Sequence, residues 1–155
     1  MDVASMEVEI TSSLSASKLF KMLSDFDTIA PKVIPQTYKS IALMQGDGGV
    51  GSIKSVTFGN GTTWKQKIDA IDTSNLSVSY TLFDGDASSD IMDTATHHIK
   101  CISSANGGSV YKHTCFIKCK GDAKITDDFI NLSKESMTDT FKALESYVID
   151  HPEIY

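Results

Sequence analysis

Most of the residues able to do chemistry in this chain share two segments near positions 97–101 and 111–119. Side chains at alternate positions of a strand share one face. On that count His97, Ile99 and Cys101 group together, as do Tyr111, His113, Cys115, Ile117 and Cys119. Lys54 groups with Val56 and Phe58, and Tyr80 with Leu76, Val78 and Leu82. A neutral imidazole can donate or accept a hydrogen bond and changes charge near neutral pH. Lysine and histidine can act as acid–base if burial shifts their pKa values, which makes Lys54, His97 and His113 catalytic candidates. Imidazole with thiolate also suits zinc or copper. Here the spacing argues against metal. On two antiparallel strands joined near residues 105–108, His113 would face Ile99 or Cys101, leaving His97 diagonal at best, and nothing makes four ligands converge. No metal and no cofactor is expected.

If these faces look inward, the interior mixes Lys54, Tyr80, His97, His113 and thiols with aliphatic residues. Buried polar groups are costly unless paired. A partly hollow interior holding water or a ligand would satisfy them. The competing explanations are histidines satisfied within the core, or a register one residue out, which would turn every side chain to the other face.

The elements that must position these residues follow from periodicity. Residues Thr126 to Asp150 carry Phe129, Leu132, Met137, Phe141, Leu144 and Val148 at spacings of three to five, predicting one stripe of a long helix. Thr126 is a candidate N-cap, Asp127 and Asp128 supply charge to the first turn, and His151-Pro152 ends the helix. A helix of about 24 residues is roughly 36 Å long and crosses a small domain. Val3 to Thr11 alternates as a strand, with Met6, Val8 and Ile10 on one face. Two short helices are expected at Ser15 to Ser24 and Asp25 to Ile34. Pro31 takes a first-turn position if the second begins near Ile29, and Pro35 stops it. Strands are then expected at Tyr38–Met44, Ser52–Phe58, Thr63–Asp69, Leu76–Phe83, Thr94–Ile102 and Val110–Cys119, separated by turn-rich GDGGVG, GNG, DTSN, DGDASSD and SANGG. Such short connections predict antiparallel neighbours. Trp64, on a short strand with Lys65 and Lys67, is either sheet packing or a stacking surface near a pocket mouth.

With 155 residues and 41% hydrophobic content, the chain suits a single domain spanning 1–155 that needs no disulfide or metal staple. A net charge of -6 argues against a dedicated nucleic-acid partner. The N-terminal residues lack a basic region followed by an apolar one, and no apolar run is long enough to span a bilayer. A cytoplasmic protein without a membrane partner is expected, and three cysteines without CxxC spacing fit reduced thiols. The sequons at Asn60, Asn75 and Asn131 would then go unused.

The succession of one strand, two short helices, six strands and a long helix, with Gly46-Asp47-Gly48-Gly49-Val50-Gly51 between the second and third strands, resembles the plant class-10 pathogenesis-related proteins, the family of the major birch-pollen allergen. Leu19-Phe20-Lys21, Pro31-Lys32-Val33-Ile34-Pro35-Gln36, Lys120-Gly121-Asp122, Ala143-Leu144-Glu145-Ser146-Tyr147 and His151-Pro152-Glu153 are similar too, so the likeness covers essentially the whole chain. It implies an α+β helix-grip fold, a seven-stranded antiparallel sheet wrapped around the long helix and enclosing a hydrophobic cavity. It also implies binding, storage or transport of amphipathic plant metabolites or hormones such as cytokinins, flavonoids, steroids or fatty acids, with links to defence and allergy. A few relatives are enzymes of alkaloid biosynthesis, and Lys120 resembles their lysine. Abscisic-acid receptors share the architecture, but their gate carries a proline where this chain has Phe83-Asp84-Gly85-Asp86-Ala87, so hormone-gated phosphatase inhibition is not expected.

Some members are described as ribonucleases, with the glycine loop, Glu145 and Tyr147 as the site; the other proposed positions map to Asp93 and His98, so the constellation is incomplete. Glu145 could instead anchor the helix against the loop. The loop lacks the Lys-Ser/Thr ending of a P-loop and precedes a strand, so a hairpin turn is expected over a phosphate cradle. The walls of the cavity are expected from Leu23, Tyr38, Val56, Phe58, Tyr80, Leu82, His97, Ile99, His113, Cys115, Met137, Thr140 and Phe141, with Tyr38, Tyr80, His97 and His113 as polar contacts. The expected partner is a small amphipathic ligand, bound by a monomer or weak dimer.

Overall fold

The strict alternation read at positions 111–119 is present in space. In a computed structural model describing residues 3–86 and 91–155, Ser109, Tyr111, His113, Cys115, Ile117 and Cys119 are buried while the residues between them are not. Among the described residues the strands are β1 (Val3–Ser12), β2 (Tyr38–Gln45), β3 (Ile53–Phe58), β4 (Thr63–Asp72), β5 (Ser77–Phe83), β6 (Met92–Ser103) and β7 (Ser109–Cys119). They form one 7-stranded antiparallel sheet in the order β1-β7-β6-β5-β4-β3-β2. The helices are α1 (Ala16–Ser24), α2 (Phe26–Val33) and α3 (Asp127–Asp150). Together α1 and α2 carry the chain from β1 at one edge to β2 at the other, closing one end of the curved sheet.

Curvature has a local origin. The ladders shift register between Tyr38 and Ser40, Leu43 and Gln45, Ile68 and Ala70, and Met92 and Thr94, and such bulges bend a strand and increase its twist. The sheet can therefore wrap around α3. That helix is capped as expected, Thr126 Oγ1 accepting from Phe129 N at 3.1 Å. Beyond it a short 3-10 helix, Pro152–Ile154, brings Tyr155 to donate to Asp25 at 2.8 Å, tying the end of the chain to the α1–α2 junction.

Several expectations need correction. Leu132 is 66% exposed; nine residues at 100° each put it half a turn from Phe141, on the opposite side of the helix. The buried positions of α3 are Phe141, Leu144 and Val148. Helix α2 begins at Phe26, not near Ile29, so Pro31 lies inside it rather than in its first turn. Strand β4 runs on past Asp69 to Asp72, because a bulge there keeps it paired with β5. The DGDASSD turn is described only through Asp86; Ala87 of the gate comparison and residues 88–90 lie outside the described residues. The three cysteines are free and buried.

Two clusters form the core. The larger joins α1, α2, β6, β7 and α3 through Leu19, Met22, Ile29, Ile99, Tyr111, Phe141 and Leu144. The smaller, Met6, Ala95, Cys115 and Ile117, lies under the first half of α3. Between sheet and helix the packing is incomplete, and that gap is the candidate site.

Candidate functional site

The gap is a cavity of about 160 Å³ walled by every element of the grip except β1, room for roughly ten waters or one small ring system. Helix α1 contributes Leu23; β2 gives Tyr38; β3 gives Lys54, Val56 and Phe58; β5 gives Tyr80 and Leu82; β6 gives His97 and Ile99; β7 gives His113; and α3 gives Met137, Thr140 and Phe141. Of the expected wall residues only Cys115 is absent from the lining; it belongs to the smaller core cluster beside His97. Tyr111, Asp27 and Gln66 line the cavity without having been expected to. For Tyr111 the signal was present, since it shares the buried face of β7 with His113.

The polar groups of the wall form a connected series. His113 pairs with Ile99 across β6 and β7, and Cys115 pairs with His97. The diagonal contact is made all the same: His97 Nδ1 and His113 Nε2 lie 2.7 Å apart. Tyr111 Oη is 2.9 Å from His113 Nδ1, and Cys115 Sγ is 3.8 Å from His97 Nε2. Tyr80 stacks on His97, with centroids 4.8 Å apart and planes at 15°, and Tyr111 stacks on Phe141 at 4.3 Å. Burial favours the neutral form of each. It holds His97 down to about 4, helped by neighbouring His98, and His113 down to about 3, helped by His97. It pushes the Tyr38 hydroxyl up to about 12 and that of Tyr80 well above its usual value, while the Cys115 thiol rises to about 12.

Two hydroxyls stand outside this series. Neither Tyr38 Oη nor Tyr80 Oη has a protein hydrogen-bond partner among the described residues, and no buried side-chain oxygen or nitrogen there is left wholly enclosed without one. Both oxygens therefore open onto the cavity. At the other polar wall Lys54, 14% exposed, is ion-paired with Asp27 of α2.

The remaining candidates lie elsewhere. Lys120 follows the end of β7, its amide bonded to Ile91 O, and is not in the lining. Glu145 is half-buried on α3, outside the lining, with no hydrogen bond or ion pair to the glycine loop among the described residues. His98 is exposed on the outer face of the sheet, 2.6 Å from Ser79 Oγ, across the sheet from α3, so it does not join Glu145. In the loop Gly46, Gly48 and Gly51 have φ of 93°, 97° and 88°. Its amides bond inward: Gly48 to Ser52 Oγ, Gly49 to Asp47 Oδ1 and Gly51 to Ile68 O. Val50 is exposed at the tip. Three of the loop's amides are thus committed within the protein, as in a hairpin turn. Trp64 is buried and packs against Gly85, where an added Cβ would overlap its ring. No cluster of His, Cys, Asp and Glu able to hold a metal occurs among the described residues, and no described helix is long and apolar enough to cross a membrane.

A curved antiparallel sheet gripping a long helix around an internal hollow defines the helix-grip class. Within it, the chain belongs to the pathogenesis-related protein Bet v 1 family, whose model matches residues 1–151. The root allergen protein of Taraxacum officinale is 58% identical over 151 residues, covering 95% of this chain and 96% of that protein. The crystal structure of Ara h 8.0201 matches with a TM-score of 0.85 at 35% identity, over 96% of this chain and 99% of that one. A norcoclaurine synthase from Thalictrum flavum, in complex with a transition-state analogue, matches with a TM-score of 0.74 over 97% of each chain. At 17% identity that likeness is one of fold alone.

Proposed function

We propose that the protein binds and carries a small amphipathic plant metabolite, of the chemical character of a cytokinin, flavonoid or steroid, in its internal cavity, in the cytoplasm and in connection with defence. The observation that carries this reading is the pair of Tyr38 and Tyr80 hydroxyls opening onto an otherwise largely apolar hollow. A few placed polar groups in an apolar cavity orient a ligand, and the apolar wall supplies its affinity.

Carriage is favoured over acid–base catalysis by the state of the candidate groups. Imidazoles held at about 4 and about 3 are weak bases at neutral pH. Lys54 is committed to Asp27, and Lys120 stands outside the cavity. Native mass spectrometry after incubation with a fractionated plant metabolite extract tests the choice. A compound retained and later released unchanged is expected. One consumed and replaced by a new mass would overturn carriage in favour of an enzyme of specialised metabolism, and the mass difference would give the reaction.

A further inference from the structure

The polar series in the cavity can be drawn in two directions. Tyr111, His113 and His97 stand in sequence with separations of 2.9 Å and 2.7 Å, and the sequence ends at His97 Nε2, which among the described residues meets the Cys115 sulfur at 3.8 Å. A neutral imidazole carries one N–H and one lone pair, so fixing one end fixes the whole. In the first direction Tyr111 Oη–H donates to His113 Nδ1, His113 Nε2–H donates to His97 Nδ1, and His97 Nε2–H remains as a donor. In the second, His97 Nδ1–H donates to His113 Nε2 and His113 Nδ1–H donates to Tyr111 Oη. The Tyr111 hydrogen then turns to the cavity, and His97 Nε2 keeps a lone pair. Each arrangement holds one proton per residue and no net charge. They differ by moving one ring hydrogen on each imidazole, through exchange with water, without displacing a heavy atom.

We propose that Tyr111, His113 and His97 form a reversible hydrogen-bond relay that offers His97 Nε2 to a cavity ligand as donor or as acceptor. One site would then take uncharged ring compounds bearing either a carbonyl or a hydroxyl. The stack of Tyr80 on His97 fixes the ring plane, so Nε2 keeps its direction in both states. The long sulfur contact is the weakest link of the series, and so the one a ligand displaces. Burial keeps both imidazoles neutral at pH 7, which leaves their tautomers as the variable. A charged head at this wall would be desolvated without a counter-ion there, and is disfavoured.

The inference rests on the cavity being a ligand site, and the experiment separates the two. Protein carrying 15N-labelled histidine is mixed with 2-acetylnaphthalene, which only accepts, or with 2-naphthol, whose hydroxyl donates. Binding is measured by calorimetry and tautomers by long-range 1H–15N correlation spectra. The expected result is His97 as the Nε2–H form with the ketone and the Nδ1–H form with the naphthol, His113 switching in step. The same His97 tautomer in both complexes, or a His113 that does not follow, overturns the relay and leaves carriage standing. If neither probe binds, both fall.

Discussion

Tyr80 divides two roles between its ring and its oxygen. The ring stacks on His97 while the hydroxyl meets no protein hydrogen-bond partner among the described residues. Tyr80→Phe therefore removes no hydrogen bond internal to the protein, and its unfolding free energy should stay within about 0.5 kcal/mol of the parent. A ligand hydrogen bond lost to the change is worth about 1 kcal/mol, roughly fivefold in affinity. Calorimetric titration with the retained metabolite and urea unfolding check the two halves; unchanged affinity would remove Tyr80 from the ligand site. The histidine pair makes a prediction of the opposite kind, on stability. Both folded pKa values, about 4 and about 3, lie below the 6.5 of an exposed imidazole. Below pH 6.5 the unfolded chain takes up protons that the folded protein refuses, so this stability is complete above 6.5 and is lost as pH falls toward 4. While both rings stay neutral in the folded protein, the loss is on the order of 1 kcal/mol per pH unit for each imidazole. Urea midpoints measured from pH 7 to pH 4.5 should show this decline, and the double variant His97→Gln with His113→Gln should flatten it.

At the scale of elements, α3 is unevenly held. Its buried residues, Phe141, Leu144 and Val148, all lie in the second half, and the first half over the smaller cluster and the cavity offers the partly buried Phe129, Ile130 and Met137. Amides with few buried contacts around them open at lower free energy. Hydrogen exchange over residues 130–137 should run faster than over 141–148, and a bound metabolite touching Met137 should slow the first set more than the second. Equal protection in both halves would contradict this. Helix and strands were legible in the sequence because their periods are set by burial on one side. The errors fell where a second influence entered. Leu132 kept a plausible spacing from its neighbours yet drifted to the far side over nine residues. Strand β4 outran its pattern because a bulge at Asp69 lets two residues oppose one. The site was legible as a face but not as a network. Alternation placed His97, Tyr111 and His113 together, whereas their hydrogen bonds depend on sheet twist and ring rotation, which no spacing encodes. Asp27 was hidden for a related reason, since its partner Lys54 lies on another element.

For the molecule as a whole, the question is how a chain of 155 residues keeps a hollow centre. Its rigidity comes from the ladders of the sheet and from the α1–α2 cap, where Leu19 and Met22 are fully buried. The cavity walls are under-packed by comparison, so a residue such as Leu82, half-buried and facing the hollow, already lacks neighbours on one side. Truncation in close-packed surroundings costs both the lost transfer energy and a new cavity. Truncation at a wall mostly enlarges a space that exists. Leu19→Ala should therefore cost about 2–5 kcal/mol, and Leu82→Ala less than about 2 kcal/mol. Ligand should change the ranking in a second way. A compound that fills the hollow at a hundred times its Kd adds about 2.7 kcal/mol to the folded state, and Leu82→Ala, which alters its surroundings, should lose part of that gain whereas Leu19→Ala should keep it. Thermal unfolding of both variants with and without the metabolite measures all four quantities. If Leu82→Ala proves the costlier change in the free protein, the centre is close-packed in solution, and the grip closes on its helix rather than on a ligand.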